Sequence, residues 1–259
     1  MTDNPLYLGN YVTADSTAWP LNYWIAPCSL NRAAWQRYDV HGCLTPRFLT
    51  AAAVTTWAML NTAISIPLAT AAPCPDIEVV FARGTNESPG IGWIGKAFVD
   101  ALRPKVGAKS LGVYAVNYPA GWDFSTSASA GASDANAHVQ YMAANCPTTR
   151  MVLGGISQGA GVIDLITMAP RTVWFFTPLP MPPEVADHVA AVAVFGNPSR
   201  DYAALGPVTA ISPLYGPKAI DLCATGDPFC SPGTNFFAHL MYPFNGMVGD
   251  AATFAASRL

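Results

Sequence analysis

A serine flanked by glycines is the residue best suited to chemistry in this sequence. Ser157 lies in Gly155-Ile156-Ser157-Gln158-Gly159, which has the pattern Gly-x-Ser-x-Gly. In this pattern the serine stands on a sharp strand-to-helix turn, and the glycines let backbone pass where a Cβ would clash. Met151-Val152-Leu153 before the motif predicts a strand, and Ala160 to Met168 after it predicts a helix. This context favours a nucleophilic serine over a glycine-rich structural turn.

A serine nucleophile needs a histidine base that is held by a carboxylate. With this motif the chain order is serine, acid and then histidine. Of the 4 histidines, His41 and His138 precede the serine, and His188 comes directly before an apolar run that predicts a core strand. His239 lies in a loop ahead of the last predicted helix, so order and position both favour it as the base. A structural histidine packed among aromatic neighbours is the alternative.

The acid is sought among the aspartates between Ser157 and His239. Asp227 follows the end of the short predicted strand at 219–222, whereas Asp221 lies inside that strand. Ligand-binding residues of parallel sheets lie beyond the carboxyl ends of the strands, so Asp227 is the predicted acid. A plain turn at Asp227 and the proline after it is the alternative. The other aspartates in this interval are Asp164, Asp187 and Asp201.

Acyl transfer to a serine also needs two backbone N–H groups that bind the developing oxyanion. Gln158, directly after the nucleophile, supplies one of them. The other comes from a loop after an early strand, and Thr85 lies in such a loop, within Ala82-Arg83-Gly84-Thr85-Asn86-Glu87. Thr85 is therefore the predicted second donor. An ordinary turn at the end of the strand is the alternative.

The elements that must position these residues are strands that alternate with helices from Cys74 onward. The predicted strands are 77–82, 113–118, 151–153, 189–195 and 219–222, and the predicted helices are 91–106, 128–145, 158–168 and 249–259. Continuous apolar strands between helices predict a parallel sheet that is covered on both faces. The predicted fold class is therefore α/β, with a central, mostly parallel sheet flanked by helices.

The composition excludes several classes of protein. The 259 residues are 51% hydrophobic and 11% charged, whereas disordered chains are polar and highly charged. A formal net charge of −3 with scattered Lys and Arg gives no basic patch for nucleic acid or for an anionic membrane surface. The 6 cysteines do not fit a Cys-x-x-Cys metal or redox pattern.

The amino-terminal part is predicted to lie outside the folded domain. Residues 47–71 have a basic residue, an uncharged apolar run and the ending Ala69-Thr70-Ala71, as secretory signal peptides do. A membrane anchor is the alternative, because residues 48–68 are long enough to span a bilayer. Residues 1–46 show neither helical nor strand periodicity and are predicted to be an extension or a misassigned translation start. The catalytic domain is expected at 72–259.

Several motifs together resemble the cutinase family, in its actinobacterial, cutinase-like branch. They are Phe81 to Glu87, Gly112 to Ala120, Gly155 to Gly159, Cys223 to Cys230 around Asp227, and His239. The resemblance covers about Cys74 to Leu259. Two features depart from the family: the leader is far too long, and the segment Trp174 to Pro183 is longer and more apolar than in compact fungal cutinases. That segment could border the acyl site, or it could be a loop packed on the body.

The resemblance implies a small α/β-hydrolase without a large lid. It places the triad at Ser157, Asp227 and His239, the oxyanion donors at Thr85 and Gln158, and disulfides at Cys74–Cys146 and Cys223–Cys230. It implies no metal and no organic cofactor. A disulfide between Cys223 and Cys230 would hold the acid loop in place.

The function hypothesis is a secreted, monomeric serine carboxylesterase that hydrolyses esters with apolar acyl groups through an acyl-enzyme. Its expected partners are the ester substrate and, transiently, a lipid or polymer surface. One alternative is an esterase that removes acetyl groups from carbohydrates on the same fold. The other is a secreted surface antigen without catalytic activity.

Overall fold

Five strands alternate with helices along the chain. The computed structural model describes residues 73–171, 173, 176–201 and 203–259, so the predictions for residues 1–71 lie outside the described residues. The strands are β1 (Ile77–Ala82), β2 (Leu111–Ala115), β3 (Arg150–Ile156), β4 (Val189–Phe195) and β5 (Ala219–Leu222). The α-helices are α1 (Gly92–Leu102), α2 (Phe124–Asn145), α3 (Gln158–Thr167), α4 (Val208–Ile211) and α5 (Met247–Ala256). Short 3-10 helices cover Arg103–Lys105, Pro183–His188, Gly216–Lys218 and Ala238–Leu240.

The five strands form one parallel sheet in the order β2-β1-β3-β4-β5. Every residue of β1 and β4 is buried. Such burial requires apolar side chains on both faces of a strand, which is why both strands appear as nearly continuous apolar runs in the sequence. The predicted α/β fold with a parallel central sheet is confirmed.

Helices cover both faces of the sheet. The side chains of β1 alternate between the two layers: Val80 packs with α2 and α3, whereas Val79 and Phe81 pack with α1 and α5. Phe81 and Phe98 of α1 are both fully buried, with ring centroids 6.2 Å apart. Burial of one such side chain stabilises the fold by about 1.5–3 kcal/mol. The two helical layers therefore hold the central strands, and with them the loops that follow these strands.

The order of the strands creates a crevice beyond the carboxyl ends of β1 and β3. The chain passes from β1 to β2 on one side, and then crosses to β3 on the other side of β1. Open parallel sheets bind their ligands at such a switch point. The loop that contains Thr85 follows β1, and Ser157 follows β3 directly. The topology thus brings the predicted nucleophile and the predicted oxyanion loop to one edge.

Several helix boundaries differ from those predicted, and two of the differences have clear local reasons. The helix α2 begins at Phe124 rather than at residue 128, because the Asp123 side chain caps it by accepting a hydrogen bond from the Thr126 N–H (3.4 Å). The helix α1 ends at Leu102 rather than at residue 106, since Pro104 has no N–H to donate and the chain tightens into a 3-10 turn.

Two disulfides tie the described part of the chain together. Cys74 is bonded to Cys146, with 5.5 Å between the Cα atoms, and thus joins the segment before β1 to the end of α2. Cys223 is bonded to Cys230, with a Cα separation of 5.8 Å, and closes a short ring after β5. Disulfides are typical of proteins that fold in oxidising compartments. Within the described ranges, no helix is long and apolar enough to cross a membrane.

Candidate active site

Ser157 occupies a strained turn between β3 and α3. Its backbone has φ 55° and ψ −120°, a region that side-chain-bearing residues rarely adopt. The turn is held by a hydrogen bond from the Ser157 N–H to the Phe195 carbonyl of β4 (3.0 Å). A Cβ on Gly159 would lie 2.1 Å from the Ala82 carbonyl oxygen, and one on Gly155 would lie 2.3 Å from the Gly159 carbonyl oxygen. Both glycines of the motif are thus required by close backbone contacts.

His239 and Asp227 form a buried pair at the same edge of the sheet. His239 lies on the 3-10 helix Ala238–Leu240, and its Nδ1 is 2.7 Å from Asp227 Oδ2. Asp227 is 0% exposed and His239 is 6% exposed. When Nδ1–H donates to the carboxylate, His239 Nε2 carries the lone pair and can accept a proton. The ring of His239 also packs on Phe229, with 4.4 Å between ring centroids.

The surroundings of Asp227 keep its carboxyl group ionised. Burial opposes ionisation, but hydrogen bonds from His239, Tyr242 and the Phe229 N–H lower the pKa of Asp227 below its usual value. The Tyr242 hydroxyl donates to Asp227 Oδ2 over 2.7 Å, and the Phe229 N–H donates to Oδ1 over 2.9 Å. Tyr242 is itself fully buried. A carboxylate with these partners can hold an imidazole in one orientation and stabilise its charged form.

The backbone around Thr85 and Gln158 offers hydrogen-bond donors to a cavity beside Ser157 and His239. The N–H groups of Gly84, Asn86 and Glu87 are bonded within the protein, whereas that of Thr85 has no partner among the described residues. Gln158 is the first residue of α3, where backbone N–H groups have no acceptor within the helix. Both residues line one cavity together with Ser157 and His239. The two N–H groups are therefore available to an oxyanion.

Side chains that the sequence analysis did not single out hold this donor loop in place. Glu87 accepts hydrogen bonds from the Gly84 N–H (2.5 Å) and from the Trp93 N–H at the start of α1 (2.8 Å). The buried Arg83 donates to the Tyr118 carbonyl (2.6 Å) and to the Glu87 carbonyl (2.8 Å). The loop is therefore tied to α1 and to the segment after β2.

The side chain of Gln158 joins the donor loop to the start of α2. Its amide nitrogen donates to the Gly121 carbonyl (2.8 Å) and approaches the Thr85 hydroxyl (3.4 Å), and its amide oxygen accepts from the Ser127 hydroxyl (2.7 Å). Ser127 and Tyr242 were missed from the sequence because each acts on a residue far from it along the chain. Only Arg83 and Glu87, both within the quoted Ala82 to Glu87 motif, left a sequence signal.

Ser157 and His239 open onto a cavity of about 480 Å³ with a mostly apolar wall. Residues of α3 line one side of it, and Phe176 comes from the described part, 176–183, of the segment from Trp174 to Pro183. Trp174 and Phe175 lie outside the described residues. The same segment also packs on the body, since the Leu179 N–H donates to the Leu165 carbonyl of α3 (2.8 Å). Aromatic side chains that line the cavity are Trp93, Trp122, Phe124, Phe176, Phe229 and Phe236. The space can hold an apolar chain attached to a carbonyl at Ser157.

The other histidines and aspartates considered from sequence have different environments. His138 lies on α2, where it stacks on Tyr114 and contacts the buried Glu78 near the amino end of β1 (2.8 Å), so its ring is more enclosed than a surface position. His188 ends a 3-10 helix just before β4. The side chain of Asp221 in β5 is buried and accepts hydrogen bonds from Asn197 and from the Val208 N–H. His138, His188 and Asp221 do not line the cavity, whereas Asp164 of α3 does.

The Cys223–Cys230 ring is expected to matter for the Asp227 loop more than for the whole fold. In the loop-entropy model the ring contributes about 2–3 kcal/mol, and the long loop closed by Cys74–Cys146 about 4 kcal/mol. We expect the Cys223→Ser/Cys230→Ser protein to lose esterase activity at temperatures where circular dichroism still reports a folded body. The Cys74→Ser/Cys146→Ser protein is the control, in which activity and fold are lost together. Coincident losses in both variants contradict the prediction.

Comparison with known proteins places the chain among esterases. A sequence model of the cutinase family matches residues 73–259. The carboxylesterase Culp1 of Mycobacterium tuberculosis H37Rv is 50% identical over 224 residues, which cover 83% of this chain and 98% of that protein. The phospholipase Culp4 of the same strain is 52% identical over 211 residues, which cover 82% of this chain and 90% of that protein.

Solved structures share the fold at lower sequence identity. The catalytic core domain of acetyl xylan esterase from Trichoderma reesei superposes with a TM-score of 0.63 at 23% identity, and the match covers 72% of this chain and 100% of that domain. A Trichoderma reesei cutinase in complex with a phosphonate inhibitor gives a TM-score of 0.56 at 28% identity, covering 71% of this chain and 77% of that protein.

Proposed function

Since the chain belongs to the cutinase family and is a serine esterase, we propose that Ser157 is its nucleophile, His239 its base and Asp227 the acid that orients the base. The observation that carries the assignment is the buried hydrogen bond of 2.7 Å between His239 Nδ1 and Asp227 Oδ2, beside a cavity that both His239 and Ser157 line. The chain order of the three residues agrees with that of α/β-hydrolases.

The reaction proceeds by acyl transfer in two steps. His239 Nε2 takes the hydroxyl proton as Ser157 Oγ attacks the ester carbonyl, and the N–H groups of Thr85 and Gln158 bind the oxyanion. The tetrahedral intermediate collapses when His239 passes that proton to the leaving alcohol, which leaves an acyl group on Ser157. Water then loses a proton to His239 and attacks the acyl-enzyme. The carboxylic acid is released and Ser157 recovers its proton.

The acyl group is proposed to be apolar and longer than acetyl. The cavity of about 480 Å³ would remain largely empty with an acetyl group, and its aromatic wall offers no partner for a sugar hydroxyl along most of its length. Exposed aromatic side chains lie on the same loops, with Trp122 70% and Phe237 67% exposed. Such exposed apolar clusters suit contact with a lipid or polymer surface. We therefore propose transient binding to such a surface by a monomeric enzyme.

Hydrolysis of p-nitrophenyl esters of increasing acyl length tests this function. We expect kcat/KM to rise from acetate to medium-length acyl chains, because each buried methylene adds about 0.8 kcal/mol of binding. Activity on acetate alone would support a carbohydrate acetyl esterase, as the acetyl xylan esterase that shares the fold is named. No activity on any ester would support the antigen without catalytic activity.

Secretion is proposed from the two disulfides together with the leader-like sequence at 47–71. We expect the mature protein to begin at or near Ala72 and a protein expressed from Ala72 to have full activity. The folded body is anchored directly after this point, by the Cys74–Cys146 disulfide and by the hydrogen bond that the Ser110 N–H donates to Asp76 Oδ2 (2.7 Å). The measurements are the intact mass of secreted protein and the kcat/KM of the shortened protein. A mature chain that retains Trp19, or a shortened protein that does not fold, would contradict the proposal.

A further inference from the structure

Arg83 carries a buried positive charge without a carboxylate partner. It is 4% exposed, and no other lysine or arginine is buried among the described residues. The same residues give Arg83 no ion pair, whereas the buried side chain of Asp221 pairs with Arg200 (3.3 Å). Burial of a charged group is costly unless hydrogen bonds replace those to water. Arg83 directly follows β1 and lies two residues before Thr85, so its burial at this place requires an explanation.

The guanidinium group of Arg83 joins the donor loop, residues 84–87, to the segment after β2. Its Nε donates to the Glu87 carbonyl at the end of the loop (2.8 Å). Its Nη2 donates to the carbonyls of Tyr118 (2.6 Å) and Pro119 (3.3 Å), and its Nη1 donates to that of Val116 (3.4 Å). A guanidinium group is planar and presents its N–H donors at fixed angles. These contacts therefore fix the backbone of Glu87 relative to the segment after β2.

Tyr118 holds Arg83 in return. The Tyr118 hydroxyl donates to the Arg83 carbonyl, and the centre of the Tyr118 ring lies 4.9 Å from the guanidinium carbon. Guanidinium groups are attracted to the faces of aromatic rings. Tyr118 is itself 5% exposed, so water has little access to either contact. The backbone and the side chain of Arg83 are thus both held by one buried residue.

The backbone of Glu87 sets the direction of the Thr85 N–H. The Glu87 N–H donates to the Gly84 carbonyl (3.3 Å). A peptide group is planar and trans, so the Thr85 N–H points opposite to the Gly84 carbonyl, which belongs to the same peptide group. A carbonyl held by Glu87 therefore leaves the Thr85 N–H directed away from the interior of the loop. A shift of Glu87 would turn this peptide group and misdirect the N–H.

We propose that Arg83 is a positioning residue that aims the Thr85 N–H at the oxyanion by holding the backbone of Glu87. Arg83 does not itself line the cavity, so it acts through the loop and not on the substrate. Lysine would keep the charge, but its single ammonium group cannot reproduce the fork that binds both segments. The inference rests on the proposed function. Because an oxyanion donor acts mainly in the transition state, a misdirected N–H lowers kcat and leaves KM nearly unchanged.

The test compares two inhibitors with the same medium-length alkyl chain. A trifluoromethyl ketone accepts Ser157 Oγ at its carbonyl carbon, and its oxygen becomes an oxyanion, whereas the matching alcohol fills the cavity without forming one. We expect Arg83→Lys to lower kcat for a p-nitrophenyl ester by about tenfold to a hundredfold, the effect of a misplacement of about 1 Å. The inhibition constant of the ketone is expected to rise by the same factor, and that of the alcohol to stay constant.

Two further variants accompany Arg83→Lys. Tyr118→Phe removes the hydrogen bond to the Arg83 carbonyl and keeps the ring, so we expect a smaller rise in the inhibition constant of the ketone. Arg103→Lys is the matched control, because Arg103 is an exposed arginine on the 3-10 helix after α1, and it should behave as wild type.

Inhibition constants do not depend on the fraction of protein that is folded, and thermal unfolding measures the stability of each variant. If Arg83→Lys does not fold, Tyr118→Phe decides. A lower melting temperature with an unchanged ratio of the two inhibition constants means that Arg83 only stabilises the fold, and overturns the proposal. An equal loss of affinity for both inhibitors also overturns it, since this points to a distorted cavity. The proposed function fails separately, if the wild-type protein hydrolyses no ester.

Discussion

Replacement of Ser157 by alanine is expected to lower kcat for ester hydrolysis by about a millionfold, the loss typical of a removed serine nucleophile. The hydroxyl group makes no hydrogen bond within the described part of the protein, so its removal should leave the stability of the fold nearly unchanged. Single-turnover kinetics with a p-nitrophenyl ester measure the loss of the acylation burst. Thermal unfolding measures the fold.

Ser133→Ala is the matched control for this variant. Ser133 is an exposed serine on α2 whose hydroxyl contacts only the carbonyl of Ser129 (3.0 Å). We expect wild-type kinetics from this protein. Near-wild-type turnover by Ser157→Ala would falsify the assignment of the nucleophile, and a loss in both variants would point to a general effect of the substitution.

Asp227→Asn is expected to lower kcat by about 10⁴-fold with little change in structure. The asparagine side chain has the same shape, but it cannot stabilise the charged imidazolium that forms when His239 accepts the proton. Its amide also offers a donor where His239 needs an acceptor, which favours the wrong tautomer of the ring. Tyr242 and the Phe229 N–H both donate to the carboxylate, so the wild-type site is built for a negative charge.

Two further variants separate the role of Asp227 from that of carboxylates in general. Asp201→Asn changes an exposed aspartate that also lies between Ser157 and His239, and should keep wild-type activity. Tyr242→Phe removes one of the hydrogen bonds to Asp227, so we expect a smaller loss than in Asp227→Asn. A kcat within tenfold of wild type for Asp227→Asn would mean that another acid orients the base. The readouts are kcat over a range of pH and the melting temperature of each variant.

The sequence by itself determined the fold class and the limits of its most apolar strands. The bounds of β1, β4 and β5 agree with the predicted ones. β1 and β4 are nearly continuous apolar runs that are buried throughout, and such burial depends on composition rather than on a particular partner. The membership of the cutinase family and the esterase activity were also predicted correctly, since both rest on local motifs whose glycines are required by close backbone contacts.

The end of β2 depended on tertiary contacts. The predicted strand ran to Tyr118, but β2 ends at Ala115, and the Asn117 N–H donates to Asp134 of α2 (2.8 Å) instead of to a strand. The apolar pattern of this segment continues past the end of the sheet, because Val116 and Tyr118 are buried by other elements. Periodicity reports burial, and it does not report which element covers a residue.

The features of the candidate site also divide into those that the sequence determined and those that depended on tertiary contacts. Ser157, Asp227 and His239 were chosen by motif, chain order and position relative to strands, all of which are properties of the sequence, and their roles remain predictions. Only the tertiary structure decided that Tyr242 donates to the carboxylate of Asp227 and that the Ser127 hydroxyl donates to the side chain of Gln158. The physical reason is that hydrogen bonding and burial of a side chain depend on residues distant in the chain, which no local pattern of residues specifies.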